Sequence, residues 1–174
     1  MFNIPQAMLD YWAKKAEPKA TTADIAMVEA ATGGRLARPY VEFVTEFGFV
    51  VFDDVPGMRY KFDYALRYAD RMEVRTGDIG YMLDPSALVR AYHRGTQVDD
   101  PGEGLPCYPP DYLVVAGSAG QDSVLLQIHG DQPGRVWYWP ENEDAWGRGT
   151  NVALGFVAEN FYDFINRLRP WEDE

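Results

Sequence analysis

Cysteine is nearly absent: Cys107 is the only one in 174 residues, so no disulfide can close within the chain. Histidine is almost as scarce. His93 and His129 stand alone, and neither joins Cys107 at the spacing a zinc site needs. No stretch reaches the roughly 18 consecutive apolar residues of a membrane span. The opening MFNIPQAMLDYWAKKAEPKA lacks a basic segment ahead of an apolar run, so no secretory signal is expected. These absences together point to a reducing, cytoplasmic setting. Internal repeats of solenoid length and low-complexity segments are also missing.

Recognisable catalytic spacing is lacking too. Gly33-Gly34 and Gly147-Arg148-Gly149 do not form a phosphate loop or a dinucleotide fingerprint. Ser118, in Gly117-Ser118-Ala119-Gly120, misses the G-x-S-x-G elbow by one residue. A Cys107–His129 dyad would need a base held by a third group, and nothing local activates the thiol. Glu141 to Asp144 lacks the alternating ligands, central glycine and closing glutamate of a calcium loop. The expectation is therefore no enzyme, no metal and no cofactor.

Positive charge is in deficit: 16 Lys and Arg face 27 Asp and Glu, for a net charge of −11. Such a field disfavours direct contact with nucleic acid or anionic lipid and attracts a basic partner. Apolar material, by contrast, is plentiful. Hydrophobic residues make up 47% of the chain and aromatics 14%, enough to fill a core and to argue against disorder. The length fits one domain over 1–174, with residues 1–20 an N-terminal extension and 53–111 a divergent middle.

Met8, Leu9 and Trp12 suggest a short helix before Pro18. Thr21 and Asp24 form a capping box, Ile25 and Val28 share a face, and Gly33-Gly34 supplies a left-handed stop. Pro39 fits a first helical position, followed by Tyr40, Phe43, Val44 and Phe47 at helical spacing and a stop at Gly48. Phe49-Val50-Val51-Phe52 is β-prone, as are residues 58–64, whereas 65–80 carry no clear pattern. Asp84 and Pro85 open another helix through Leu88, Val89 and Tyr92. Residues 95–111 read as a loop. Strands are predicted at 112–116, 124–128, 135–139 and 152–156. A last helix carries Phe161, Phe164, Ile165 and Leu168, and residues 171–174 form a frayed tail. The fold class is α+β: an antiparallel-rich sheet with an N-terminal helix pair and a C-terminal helix packed around it. On the strand through Val136-Trp137-Tyr138-Trp139, the two tryptophans face one way and Val136 and Tyr138 the other. One set must be core, and a helix is expected over the second.

Asp24-Ile25 with Glu29, Thr32-Gly33-Gly34-Arg35-Leu36, Pro39-Tyr40 and Phe43-Val44 resemble the opening signature of the SUKH superfamily, the Smi/Knr-like family of immunity proteins and fungal cell-wall regulators. Segments 112–118, 122–127 and 134–139, then Ala158-Glu159-Asn160-Phe161 and residues 164–168, are similar to its later motifs, in the same order. Ala37-Arg38 and Phe47-Gly48-Phe49 depart from the usual pattern. The resemblance implies binding rather than turnover: an immunity protein that neutralises a cognate toxin, such as a nuclease with a basic surface, or else a regulatory scaffold for endogenous partners. It carries no catalytic residues to transfer. Loops on a rigid sheet commonly hold the binding residues, which selects Asp99, Asp100, Glu103, Tyr108, Asp111, Glu141, Glu143 and Asp144 as candidate partner contacts.

Overall fold

The N-terminal helices form where the capping chemistry puts them. A computed structural model describes residues 1–52, 59–96, 108–118, 120, 122–140 and 154–171. Helix α1 (Gln6–Lys15) buries Met8 and Trp12, and the Trp12 indole N–H donates to the Val51 carbonyl at 2.9 Å. Helix α2 (Thr22–Thr32) starts at the complete Thr21–Asp24 capping box and stops at Gly33, whose φ of +67° suits a residue without Cβ. Helix α3 (Arg38–Glu46) begins one residue before Pro39, with Ala37 as N-cap, and buries Tyr40, Phe43 and Val44.

Between these helices and the sheet, Phe49 to Phe52 form no strand. Val51 makes only an isolated bridge to Tyr81, while Phe49, Val50 and Phe52 are buried as core side chains. Their backbone contact with the sheet is limited to that bridge, with Phe52 N–H donating to Gly80 and Met82 N–H to Val50, and their side chains serve packing. Strands β1 (Tyr60–Arg67) and β2 (Met72–Ile79) form a hairpin across the stretch that had no clear pattern. Strand β3 (Tyr81–Met82) follows at once, then helix α4 (Pro85–Thr96). The Asp84 carboxylate caps α4 by accepting from the Ala87 N–H at 2.8 Å. The meander β4 (Tyr112–Gly117), β5 (Ser123–Gln127) and β6 (Val136–Trp139) is antiparallel throughout. Strand β7 (Gly155–Ala158) starts three residues later and ends two later than expected, with Phe156 paired to both Ala65 and Trp137; residues 152 and 153 lie outside the described residues. Helix α5 (Phe161–Asn166) is shorter than expected and leaves Leu168 just beyond it. Strand β8 (Arg169–Pro170) pairs with β1, and the Trp171 N–H donates to the Arg59 carbonyl at 2.6 Å. Trp171 is thus held rather than frayed, with Lys61 stacked on its ring at 5.1 Å; residues 172–174 lie outside the described residues.

The strands form one antiparallel sheet in the order β2-β1-β7-β6-β5-β4-β3, with β8 on β1. Its two ends belong to neighbouring chain segments: β2 and β3 are separated only by Gly80, whose N–H donates to the Gly117 carbonyl at 2.8 Å. The sheet therefore curls back on itself. Helices α1, α2, α3 and α5 cover its inner face through Trp12, Val28, Phe43 and Phe164, which meet Phe62, Leu126, Val136 and Tyr138 in one core. This is the α+β architecture expected from the order of elements.

Two core features have measurable consequences. The Tyr40 hydroxyl is buried without a hydrogen-bond partner among the described residues, a condition that costs about 1–3 kcal/mol. Tyr40→Phe should raise stability by about 1 kcal/mol in chemical denaturation. Conversely, a Cβ at Gly155 would overlap the Tyr64 ring. Gly155→Ala should lower stability by about 1–3 kcal/mol through overpacking, seen as a lower denaturation midpoint at unchanged slope.

Candidate binding surface

The outer face of the sheet carries an apolar row that no single segment encodes. Cross-strand pairing sets Val74 beside Ala65, Ala65 beside Phe156, Phe156 beside Trp137, Trp137 beside Leu125, and Leu125 beside Val114. At the β4–β5 end the row is buried under Tyr108 and Leu154, which form a second, smaller cluster with Val114 and Leu125. At the β2 end it is bare: Val74 is 63% exposed and its neighbour Met72 66%.

Trp137 and Trp139 stand on this outer face, with Val136 and Tyr138 in the core, so the division of the strand into two faces holds. Among the described residues no helix lies over Trp137, and α4 comes beside Trp139 only through Ala91 and Gly95. A depression of about 490 Å³ lies over Trp137, Phe156, Met72 and Tyr112, and none of its lining residues belongs to a helix. The helices are already committed to the inner face, where the larger aromatic cluster sits. Helix α4 reaches the outer face only at its margin, where Ala91 and Gly95 wall a second depression of about 610 Å³ beside Trp139.

Charge frames the first depression. Arg135 donates from Nε and Nη2 to the two carboxylate oxygens of Glu159 at 2.8 and 3.0 Å, and its guanidinium lies 5.4 Å from the Phe156 ring centre. The Arg135 hydrogen bonds hold the Glu159 carboxyl below its ordinary value. Across β1, Arg169 donates to Asp63 at 2.5 Å and Thr76 to the same oxygen at 3.0 Å. The guanidinium holds Asp63 low as well.

A polar network ties the seam where the sheet closes. The Tyr138 hydroxyl donates to Asp122 Oδ2 at 2.5 Å. Ser118 is 4% exposed, and its Oγ accepts from the backbone N–H groups of Gly120 and Asp122, each at 3.0 Å. Its proton is left to serve Asp78. Ser118 is thus a turn residue with both roles of its hydroxyl taken. Burial first, and the Asp122 charge second, push the Asp78 carboxyl upward, against the Ser118 hydrogen bond and Arg59. His129 sits instead near the Thr32 carbonyl, its Nε2 3.3 Å away.

Of the residues selected from the sequence, Tyr108 and Asp111 are described. Tyr108 is buried, not displayed: its hydroxyl donates to the Ala91 carbonyl at 2.9 Å and its ring stands 5.9 Å from Trp139. It props the outer cluster from within. Asp111 is partly exposed, and its carbonyl accepts from Ile128 N–H at 2.7 Å. Asp99, Asp100, Glu103, Glu141, Glu143, Asp144 and Cys107 lie outside the described residues. Of the described residues within two positions of those stretches, Gly95, Tyr108, Trp139 and Leu154 line the outer depressions. Residues Met72, Val74 and Phe156 were missed because their exposure depends on pairing partners distant in sequence.

Among the described residues no group of three or more His, Cys, Asp or Glu could hold a metal ion, and no helix is long and apolar enough to cross a membrane. A curled antiparallel sheet with helices on one face and an aromatic-bearing second face defines an α+β protein with the surface of an interaction module. The chain matches the SMI1 / KNR4 family (SUKH-1) over residues 19–167 and belongs to that family. No curated protein matches it. Membership accords with immunity or regulatory roles and with protein–protein interaction in general.

The seam supplies a pH test. A carboxyl whose value is raised by folding weakens the fold once it ionises, so its contribution is lost as pH rises through the folded-state value. Asp78→Asn keeps an acceptor for Ser118 and removes the charge. The variant should melt higher than the parent at pH 7, with the gap closing as pH falls into the range where Asp78 is protonated. A gap independent of pH would contradict this account.

Proposed function

We propose that the chain is a non-catalytic binding protein of the immunity type, which neutralises a cognate toxin by covering its active surface. The observation that carries this reading is the outer sheet face. An apolar row runs through the partly exposed Trp137, with Trp139 on the same face, and Gly95, Tyr108, Trp139 and Leu154 in its depressions neighbour two acidic stretches in sequence. Interfaces commonly combine such an apolar centre, where aromatic anchors are desolvated, with a charged rim. The family match supports the role, and the net charge of −11 supports a basic partner such as a nuclease.

In this reading Asp99, Asp100, Glu103, Asp111, Glu141, Glu143 and Asp144 steer the partner in, and Tyr108 supports the face from below. Trp137 and Phe156 supply the short-range contact. The alternative, a regulatory scaffold, shares the face but takes endogenous partners.

A toxin gene is expected beside this one, and co-expression of the two should rescue growth. Reversing the acidic residues to Lys should slow association about tenfold or more at low salt, with the difference shrinking as salt screens it. Rates unaffected by the reversals would remove the electrostatic account. Absence of rescue, together with recovery of endogenous partners only, would favour the scaffold.

A further inference from the structure

Strand β2 ends the sheet: it pairs with β1 on one side, and no described residue pairs with its far edge along Met72 to Asp78. An unprotected edge is a template for another strand, and natural proteins usually blunt it with charge, proline or a bulge. Here the outward-facing side chains are Met72 and Val74, 66% and 63% exposed, and the β1–β2 ladder runs without a bulge over eight residue pairs. Met72-Glu73-Val74-Arg75-Thr76 contains no proline or glycine.

The charges on this strand are arranged for a particular partner. Glu73 and Arg75 flank Val74, point to the opposite face from it, and already pair within the strand at 2.7 Å, with side chains 37% and 38% exposed. Set a second β2 antiparallel to the first, on a two-fold axis through Val74. Residues directly opposite share a face. Val74 then meets the second copy's Val74, Met72 meets its Thr76, and Glu73 meets its Arg75, twice over by symmetry. Glu73 Oε1 accepts from Arg75 Nε within the strand, and Arg75 also donates from Nη2 to the Tyr68 hydroxyl at 3.3 Å. A register shifted by one residue in either strand brings Val74 opposite a charged residue, so the symmetric register is selected by both charge and burial. The same axis joins two apolar rows end to end, Trp137 to Val74 in one copy and Val74 to Trp137 in the other.

We infer that this protein pairs with a second copy of itself through β2, in the Val74-centred antiparallel register. Five paired residues on each side make a small interface, of the class that gives reversible rather than permanent dimers. The depression over Trp137 then lies next to the axis in each copy, since Met72 lines it.

Sedimentation equilibrium of the full chain tests this. The mass should rise from 19.7 kDa toward about twice that between roughly 1 and 100 µM, the range expected for a small interface. Val74→Lys, at an exposed position, should hold the protein at monomer mass over the same range with an unchanged circular dichroism spectrum. Glu73→Arg should weaken association at least tenfold, and Glu73→Arg with Arg75→Glu should restore it, because the swap rebuilds both cross-axis pairs. A monomer at every concentration overturns the proposal. So does a dimer indifferent to Val74→Lys, or one weakened equally by the single and the swapped variant. Toxin neutralisation is assayed separately, so the two readings fail independently.

Discussion

Tyr138 is the residue on which the closure of the sheet depends. Its ring stacks edge-on against Phe62 at 5.1 Å and tilts against Tyr64 at 4.7 Å. Both partners lie on β1, which is separated from β6 by β7. Such a reach across an intervening strand is possible only where that strand has no side chain, and the β7 residue opposite Tyr138 is Gly155. On β2, Gly77 leaves the same kind of room: a Cβ there would sit 2.8 Å from the Tyr138 ring. Two glycines and three aromatics thus form one unit spanning four strands. Its hydroxyl end, anchored on Asp122, reaches the turn that meets the other sheet end. Aromatic pairs of this geometry add about 0.5–1.5 kcal/mol beyond area burial, and here they also set the curl.

That curl decides which surface is left for other work. Once the sheet closes around its inner aromatics, the helices fill the inner side and the outer face is left to loops and solvent. The outer row grades from fully buried at Leu125 to bare at Val74. It does so because Tyr108 and Leu154 cover only the β4–β5 end. The surface is therefore a consequence of packing economy elsewhere: the bulky residues serve one face, and the second receives a thinner apolar layer.

The local elements were legible where short-range chemistry dictates them. Thr21 with Asp24, Gly33, and Asp84 before Pro85 each settle a helix boundary by satisfying or sparing backbone groups nearby. Strand β2 was illegible for a physical reason. Its inner-facing positions include Glu73, Arg75 and Gly77, which no burial pattern would select, and it is held by a ladder to β1. Strand β8 is two residues long and exists only because Tyr60 and Lys61 receive it. The candidate surface was harder still. Tyr108 has the composition of an exposed loop residue, yet Ala91 and Trp139 bury it. The outer row takes one residue from each of six strands, so only the register reveals it. The alternation of Trp137 and Trp139 was the one local sign of that face.

Charge and apolar surface answer different demands on a binding protein. Acidic residues raise the encounter rate with a basic partner but are screened over about a Debye length. They do not by themselves keep the partner bound. Slow dissociation needs a desolvated centre with rigid anchors, and the indole of Trp137 is such an anchor: Nε1 donates to Gln127 Oε1 at 3.2 Å and the ring packs on Phe156 at 5.5 Å. Side chains already fixed before contact lose little rotamer freedom on binding. On the proposed reading, variation in the acidic stretches would alter how fast and in what salt a partner arrives. Changes at Trp137 or Phe156 would alter whether it stays.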